Sequence, residues 1–405
     1  MKQAGQDLSP RCSTAVVKIA SRCNLNCSYC YMYNMGDLTY AQQPKLMSRS
    51  VIDALLFRVA EHCSRHKHPR FTFAFHGGEP LLAPKDHFRY FVSRARSLLP
   101  PCSTATFSLQ TNGVLLSPEW CGLFRELDIR LGISIDGPKS SNDRNRVDHR
   151  KDGTYARARR GWGFAKAHGL DPGILSVIDL QSPPQAIYAH LKELQPRKVD
   201  FLLPQGTYDK LPPGLNAGGS ETPYADWLLE IFRLWVAEET PPFRIRLFDQ
   251  IIETVMGTSG ALDALGRGTN EVLTFETDGA IETVDVLRVC KSGITRTIFN
   301  VLTHSIDDAM DDEIIDRYHF SHARLCRICD GCPINEICGG GYLPHRYRSA
   351  NGFDNPSIYC ADLMKLIVTI RNHTLSWLPP AILATADVHP FSYAEARESL
   401  AGFQG

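Results

Sequence analysis

Ten residues constrain this chain more than any others: Ser21-Arg22-Cys23-Asn24-Leu25-Asn26-Cys27-Ser28-Tyr29-Cys30. Three cysteines spaced C-x3-C-x2-C stand just behind a short apolar run, Ala15 to Ile19. Thiolates at that spacing can point inward from one tight loop and hold three irons of a [4Fe–4S] cube. The fourth iron then lacks a protein ligand, which is useful only where something else binds it. A closed structural zinc site is the competing reading, but it needs four ligands and none follows nearby.

At 405 residues the chain can bury a full core, as one large unit plus a smaller one. Lys+Arg and Asp+Glu balance at 44 each, so no net field recruits nucleic acid or an anionic membrane. The basic runs around Arg144–Lys151 and Arg157–Arg160 read as solvated faces. Met1 to Pro10 is polar and lacks the apolar core of a secretory signal. No run approaches the roughly 18 apolar residues of a membrane helix. A cytoplasmic setting is expected, where clustered cysteines read as metal ligands rather than disulfides. Cys12, Cys63, Cys102 and Cys121 stand alone and read as small hydrophobes.

Hydrophobic periodicity predicts strands at Ala15–Ile19, Phe71–Phe75, Thr106–Leu109, Arg130–Ile135, Gly173–Ile178 and Lys198–Leu203. Helices are expected between them at Arg49–Glu61, Lys85–Ser97, Pro118–Leu127, Thr154–His168 and Pro184–Leu194. Strand–helix alternation implies parallel pairing with right-handed crossovers. Six strands fall short of the eight of a closed barrel, so an open, partial (β/α)6 barrel of the α/β class is expected. The expected organisation is an N-terminal tail (1–14), the barrel (15–223), linking helices (224–260), a cysteine-rich domain (261–375) and a C-terminal tail (376–405). Pro204 to Pro223, with Gly206, Gly214, Gly218 and Gly219, reads as a linker or lid. Helices at Tyr224–Glu238 and Arg246–Met256 follow.

In such barrels chemistry sits at the C-terminal ends of the strands. The cysteine loop follows the first strand. His76-Gly77-Gly78-Glu79-Pro80 follows the second, Gln110-Thr111-Asn112-Gly113 the third, and Ser134-Ile135-Asp136-Gly137-Pro138 the fourth, with Arg146 beyond. Each is also an ordinary turn signal. Together with the three cysteines they resemble the radical SAM superfamily, in which the open iron chelates S-adenosylmethionine. The resemblance implies that fold, a [4Fe–4S] cluster on Cys23, Cys27 and Cys30, and SAM contacts from Tyr29, Gly77, Gly78, Glu79, Gln110, Asn112, Ser134 and Arg146. Glu79 is expected to accept the ligand ammonium, and Arg146 to meet its carboxylate through a planar fork.

A second cysteine group, Cys290, Cys326, Cys329, Cys332, Cys338 and Cys360, follows a hairpin predicted from Leu273–Glu276, the Asp278-Gly279 turn and Ile281–Val284. C-x2-C-x5-C with a later fourth cysteine resembles the SPASM extension of radical SAM enzymes. The resemblance implies an auxiliary [4Fe–4S] cluster on Cys329, Cys332, Cys338 and Cys360. The full pattern has seven cysteines and two auxiliary clusters, with further cysteines where Val284 and Tyr342 stand. The first auxiliary cluster is therefore expected to be absent, or rebuilt on Cys290 and Cys326. That makes two clusters, or three if those two thiols hold one. Zinc on some of these six cysteines is the alternative.

Asp285 matches an aspartate that serves as a base in sulfatase-maturing relatives; a surface aspartate ending a strand is the bland alternative. The run Cys338–Tyr347, Asn351–Pro356 and Tyr359–Leu363 resembles the cyclophane (triceptide)-forming peptide maturases of the FxsB-like, XYE-type branch. That implies a C–C bond between an aromatic ring and the β-carbon of a residue two positions later in a ribosomal precursor peptide. Asp285 would take the proton and the auxiliary cluster the electron. An anaerobic sulfatase maturase making formylglycine, or a thioether-forming maturase, would use the same parts. Implied partners are the precursor peptide, an electron donor such as flavodoxin or ferredoxin, and a separate leader-recognition protein.

Overall fold

The computed structural model describes residues 11–216, 219–258, 263–386 and 388–400. Residues 1–10 of the expected N-terminal tail, Gly218, the expected boundary at 260/261 and the end of the C-terminal tail lie outside the described residues. All six strands of the sequence reading are present: β1 (Thr14–Ala20), β2 (Arg70–Gly77), β3 (Thr104–Thr111), β4 (Ile129–Ser134), β5 (Gly173–Val177) and β6 (Lys198–Leu202). They pair in sequence order, all parallel. The sheet stays open, as six strands require.

Two edges go beyond the expectation. A two-residue strand β7 (Arg244–Ile245) adds parallel to β6. The hairpin forms as β8 (Val272–Phe275) and β9 (Ile281–Glu282), and β8 pairs parallel with β1. The C-terminal region is therefore sewn into the barrel sheet beside the strand that launches the cysteine loop.

The helices between strands are α1 (Arg49–His66), α2 (Lys85–Leu98), α3 (Pro118–Leu127), α4 (Lys139–Asn145), α5 (Tyr155–Ala167) and α6 (Pro184–Leu194). Helix α1 runs a turn past Glu61, because no breaker intervenes before Lys67 closes it in the left-handed conformation. Helix α4 was not expected. It buries only Ser141 and Asn142, so it has no apolar stripe to read.

Strand alternation explains the rest. Phe71, Phe73 and Phe75 of β2 point at the helices, where Phe75 meets Phe88 and Phe91 at ring-centre distances of 5.1 and 5.0 Å. Each such buried ring is worth about 1.5–3 kcal/mol. With odd positions committed to that layer, the even ones, Lys18 of β1 and its register partner His76 of β2, face the other side.

Helices α7 (Pro223–Val236) and α8 (Arg246–Val255) come next. Four short helices, α9 (Ile306–Met310), α10 (Glu313–His319), α11 (Arg327–Asp330) and α12 (Asn335–Cys338), lead to α13 (Cys360–Leu375), α14 (Pro380–Ala386) and α15 (Tyr393–Glu398). Helix α13 packs on α7 and α8, and one apolar core takes in all three together with the sheet. No helix among the described residues is long and apolar enough to cross a membrane.

Candidate active site

The loop Cys23–Cys30 leaves the C-terminal end of β1 and is pinned from the side by the segment after β4. Asn26 N–H donates to Val147 O at 2.8 Å and Ser28 N–H to Asn145 O at 3.0 Å. The Ser28 hydroxyl adds a bond to Asn145 Oδ1 at 2.6 Å. All three cysteines line a cavity of about 220 Å³ at the strand ends. So do all eight residues expected to contact SAM, from Tyr29 through Glu79 to Arg146. The structure thus gathers residues spread over 120 positions into one chamber.

The two glycines are needed by the protein itself. A Cβ on Gly77, whose φ is +141°, would lie 2.0 Å from the carbonyl oxygen of Ala20; one on Gly78 would lie 2.2 Å from that of Arg22. Their N–H neighbours tie the same strand ends: Gly78 to Ala20 O at 3.0 Å and Glu79 to Arg22 O at 2.9 Å. Gly78→Ala must push the cysteine loop off β2. We expect a loss of about 2 kcal/mol or more in denaturant unfolding, and loss of SAM binding in the same variant. Wild-type SAM affinity in Gly78→Ala would show that the close passage does not matter.

Glu79 also serves the protein's own strand ends. Its buried carboxylate accepts from Thr111 Oγ1 (2.6 Å), Asn112 N–H (2.9 Å) and Leu81 N–H (3.1 Å). It latches the ends of β2 and β3 together, and one lone-pair direction is left for a ligand. Burial raises its pKa to about 7 against those three bonds. Arg146 donates through Nε to Asp136 Oδ2 at 3.0 Å, and the Tyr29 hydroxyl donates to the same oxygen. The other Asp136 oxygen holds Val177 N–H at 3.0 Å. The guanidinium also lies over the Tyr29 ring, 5.6 Å from its centre. With Nε committed, the terminal amines are the part of the fork that can meet a carboxylate. Gln110 Nε2 donates to Ser134 Oγ at 2.9 Å, and Asn112 Nδ2 to Asn24 Oδ1 at 2.8 Å.

Asp285 is buried beside this chamber, not on its lining. Lys18 Nζ donates to Asp285 Oδ2, and the Tyr31 hydroxyl donates to it at 3.1 Å. His76 Nδ1 is 2.9 Å from Lys18 Nζ and 3.6 Å from the carboxylate. Tyr31 and His76 do line the cavity. Burial alone would raise the Asp285 pKa, but Lys18 and His76 outweigh it and hold it at about 2. Burial and then Lys18 lower His76 to about 4, so its ring is neutral and Nδ1 accepts from the ammonium. Lys18, Tyr31 and His76 were not singled out from sequence. A lysine at an alternating position of an otherwise apolar strand, Val16-Val17-Lys18-Ile19, was the available signal. Three residues on, Arg288 clamps the segment by pairing with Glu276 (2.7 Å), Glu282 (2.8 Å) and Asp37 (3.2 Å).

Cys329, Cys332, Cys338 and Cys360 line one small cavity, closed by apolar Ile328, Ile334 and Leu400. A zinc ion with Zn–S near 2.3 Å draws its sulfurs to within about 4 Å of one another. Among the described residues no three cysteines have sulfurs within 4.8 Å of each other. Cys290 and Cys326 are not brought together as a ligand pair. Cys290 packs in a separate apolar cluster with its Sγ 3.8 Å from Pro344 O, whereas Cys326 lies against Cys329, which lowers its pKa. That apolar cluster is built on Val284, Leu287, Tyr318 and Leu343, with Tyr342 against it. Val284 and Tyr342, the two positions where the seven-cysteine pattern has ligands, are both packing residues here.

A parallel α/β sheet with three cysteines, a glycine pair and a polar chamber at its C-terminal ends defines a class: enzymes that bind S-adenosylmethionine on an iron–sulfur cluster. Residues 17–181 match the Radical SAM superfamily. The chain is a radical SAM enzyme, with a [4Fe–4S] cluster and SAM as cofactors. It is 26% identical over 369 residues to the serine-type anaerobic sulfatase-maturating enzyme of Bacteroides thetaiotaomicron, covering 85% of this chain and 86% of that protein. It is 24% identical over 362 residues to the cysteine-type enzyme of Clostridium novyi, covering 86% and 92%. Native anSMEcpe with bound AdoMet has the same fold, with a TM-score of 0.76 at 21% identity over 92% of this chain and 99% of that one. SuiB of Streptococcus suis, bound to precursor peptide SuiA, shares it more loosely, with a TM-score of 0.57 at 13% identity over 86% and 76%.

Proposed function

We propose that this radical SAM peptide-modifying enzyme forms cyclophanes, joining an aromatic ring to the β-carbon of a residue two positions later in a ribosomal precursor peptide. The observation that carries the reading is the apolar cluster around Val284 and Tyr342, which takes the place of a first auxiliary cysteine set and leaves one four-thiol site. In this reading Cys23, Cys27 and Cys30 hold the catalytic cluster, and the eight chamber residues hold SAM. Cys329, Cys332, Cys338 and Cys360 hold an auxiliary cluster in the 261–375 region. When bound, cluster and SAM supply a primary carbon radical, a species no side chain can provide.

The chain's own residues do the rest. The chamber walls keep the site dry and place one C–H bond close. Asp285, one hydrogen bond from the chamber through Tyr31, takes a proton. A carboxylate held near pKa 2 is a feeble base, suited to a strongly acidic proton such as the one a ring sheds on regaining aromaticity. The peptide loses two hydrogens per ring, one as an atom and one as a proton, and one electron leaves with them. Electrons would come from a flavodoxin or ferredoxin, and a separate protein would present the leader.

Oxidation of a Cys or Ser side chain to formylglycine is the second reading, favoured by the named activity of the relatives at 24–26% identity. Anaerobic incubation with SAM, a reductant and, in turn, a precursor peptide encoded beside the gene and a sulfatase peptide separates the two. The expected product is lighter by about 2 Da per ring, with no oxygen gained and no sulfur lost, and tandem mass spectrometry places the link. An aldehyde at a former Cys or Ser of a sulfatase peptide would replace this reading with the second; a thioether would keep the peptide maturase and defeat the cyclophane.

A further inference from the structure

Outside the chamber, the end of α1 and the start of α9 bring His62, His66 and Asp307 together. Their ligand atoms lie within 4.8 Å of one another. His62 Nδ1 is 2.6 Å and His66 Nε2 2.8 Å from the same oxygen, Asp307 Oδ1. The two histidines are one helical turn apart on α1, so both rings project from one face. None of the three belongs to a cysteine site or lines the chamber.

We propose that His62, His66 and Asp307 form a zinc site that ties the barrel helix α1 to the C-terminal region at α9. Two imidazoles and one carboxylate, with solvent at the fourth position, is a recurrent zinc set. His66 and Asp307 keep 20% side-chain exposure, which leaves the fourth position open to water.

The surroundings of His62 favour a metal over a plain hydrogen bond. Its far nitrogen, Nε2, faces both backbone groups of one residue: Cys12 N–H at 3.2 Å and Cys12 O at 3.1 Å. Without metal, Nδ1–H donates to Asp307 and Nε2 accepts from Cys12 N–H. With metal on Nδ1, the ring proton moves to Nε2 and donates to Cys12 O, the carbonyl partner that metal-bound histidines ordinarily have. Both tautomers are provided for. Arg65 Nη1 holds the second carboxylate oxygen at 2.6 Å and orients the first.

A third observation comes from His68. Its ring stacks on His62 with centres 5.3 Å apart, and its buried Nε2 has no hydrogen-bond partner. Closing the site asks that His62 and His66 each part from Asp307 by less than about 1 Å, since Zn–N and Zn–O bonds near 2.0–2.2 Å hold ligands a little over 3 Å apart.

The test uses the full chain with its iron in place. Anaerobically purified protein is given one equivalent of Zn²⁺ or Co²⁺, desalted, and analysed for zinc, cobalt, iron and sulfide. Wild type should retain about one added metal per chain with iron and sulfide unchanged, and cobalt should show the visible bands of a tetrahedral nitrogen–oxygen site. His66→Gln and Asp307→Asn, both at partly exposed positions, should each lose that metal at least tenfold while cleaving SAM normally, which also reports folding. Zinc should raise the melting temperature of wild type and not of the variants. Equal zinc in wild type and both variants, thiolate-type cobalt bands, or zinc gained only as iron is lost would each overturn the site.

Discussion

Replacing Cys23, Cys27 and Cys30 together with Ala is expected to abolish 5′-deoxyadenosine formation while about four irons and four sulfides per chain remain. The three thiols line the SAM chamber, and no other cysteine does. Cys329, Cys332, Cys338 and Cys360 line a separate cavity walled by Ile328, Ile334 and Leu400, so the two proposed sites should load independently. Four thiolates saturate a cube, which leaves no iron on which SAM could be chelated. Anaerobic reconstitution followed by iron, sulfide and nucleoside analysis reads both arms. Undiminished 5′-deoxyadenosine would remove the catalytic assignment. Bound iron falling to zero, with no sulfide, would remove the auxiliary one.

Asp285→Asn should slow product formation by about 10²–10⁴-fold, the usual weight of a positioned acid–base group, while SAM binding stays within a few-fold of wild type. The variant carries a second consequence. Lys18 is 1% exposed, and Asp285 is its anionic partner. Removing the charge leaves a buried ammonium unpaired, a loss of about 3–5 kcal/mol. Lys18→Met in the same chain removes that orphan, so Lys18→Met/Asp285→Asn should recover most of the stability and none of the activity. Recovery of turnover in the double variant would mean that Asp285 serves only to neutralise Lys18. The pair also sets a pH dependence. The Asp285 pKa is depressed to about 2 in the folded chain, against about 3.8 unfolded. Its stabilisation is therefore complete above the unfolded value and is lost as pH falls through 2. Lys18→Met should remove that contribution.

Local pattern alone determined a good deal about this protein. Six parallel strands, the crossover helices, the Asp-Gly hairpin, the three-cysteine loop and the chamber residues are short-range signals. Strands β1 to β6 pair in the order in which they are made, so reading them in sequence amounts to reading the sheet. The C-terminal ends of neighbouring parallel strands necessarily converge, which is why Cys23, Glu79, Asn112 and Ser134 share one wall without any long-range prediction. The grouping of Cys329, Cys332, Cys338 and Cys360 around one cavity was legible for a similar reason, because chemistry restricts what clustered thiols can do.

Other features were decided only in the folded molecule. The pairing of β8 with β1 joins segments over 250 residues apart, and no local period encodes it. That pairing delivers Asp285 to Lys18 and His76, turning an aspartate that ended a predicted strand into a buried carboxylate of depressed pKa. Glu79 read from its motif only as a ligand acceptor; the fold also makes its carboxylate a bridge between two strand ends. Val284 and Tyr342 read from sequence only as missing cysteines. The fold makes them part of an apolar cluster, and His62 and His66 meet Asp307 across more than 240 residues. Periodicity reports which face of an element is buried. What that face is buried against, and so the charge state of each polar group on it, is a property of the whole chain.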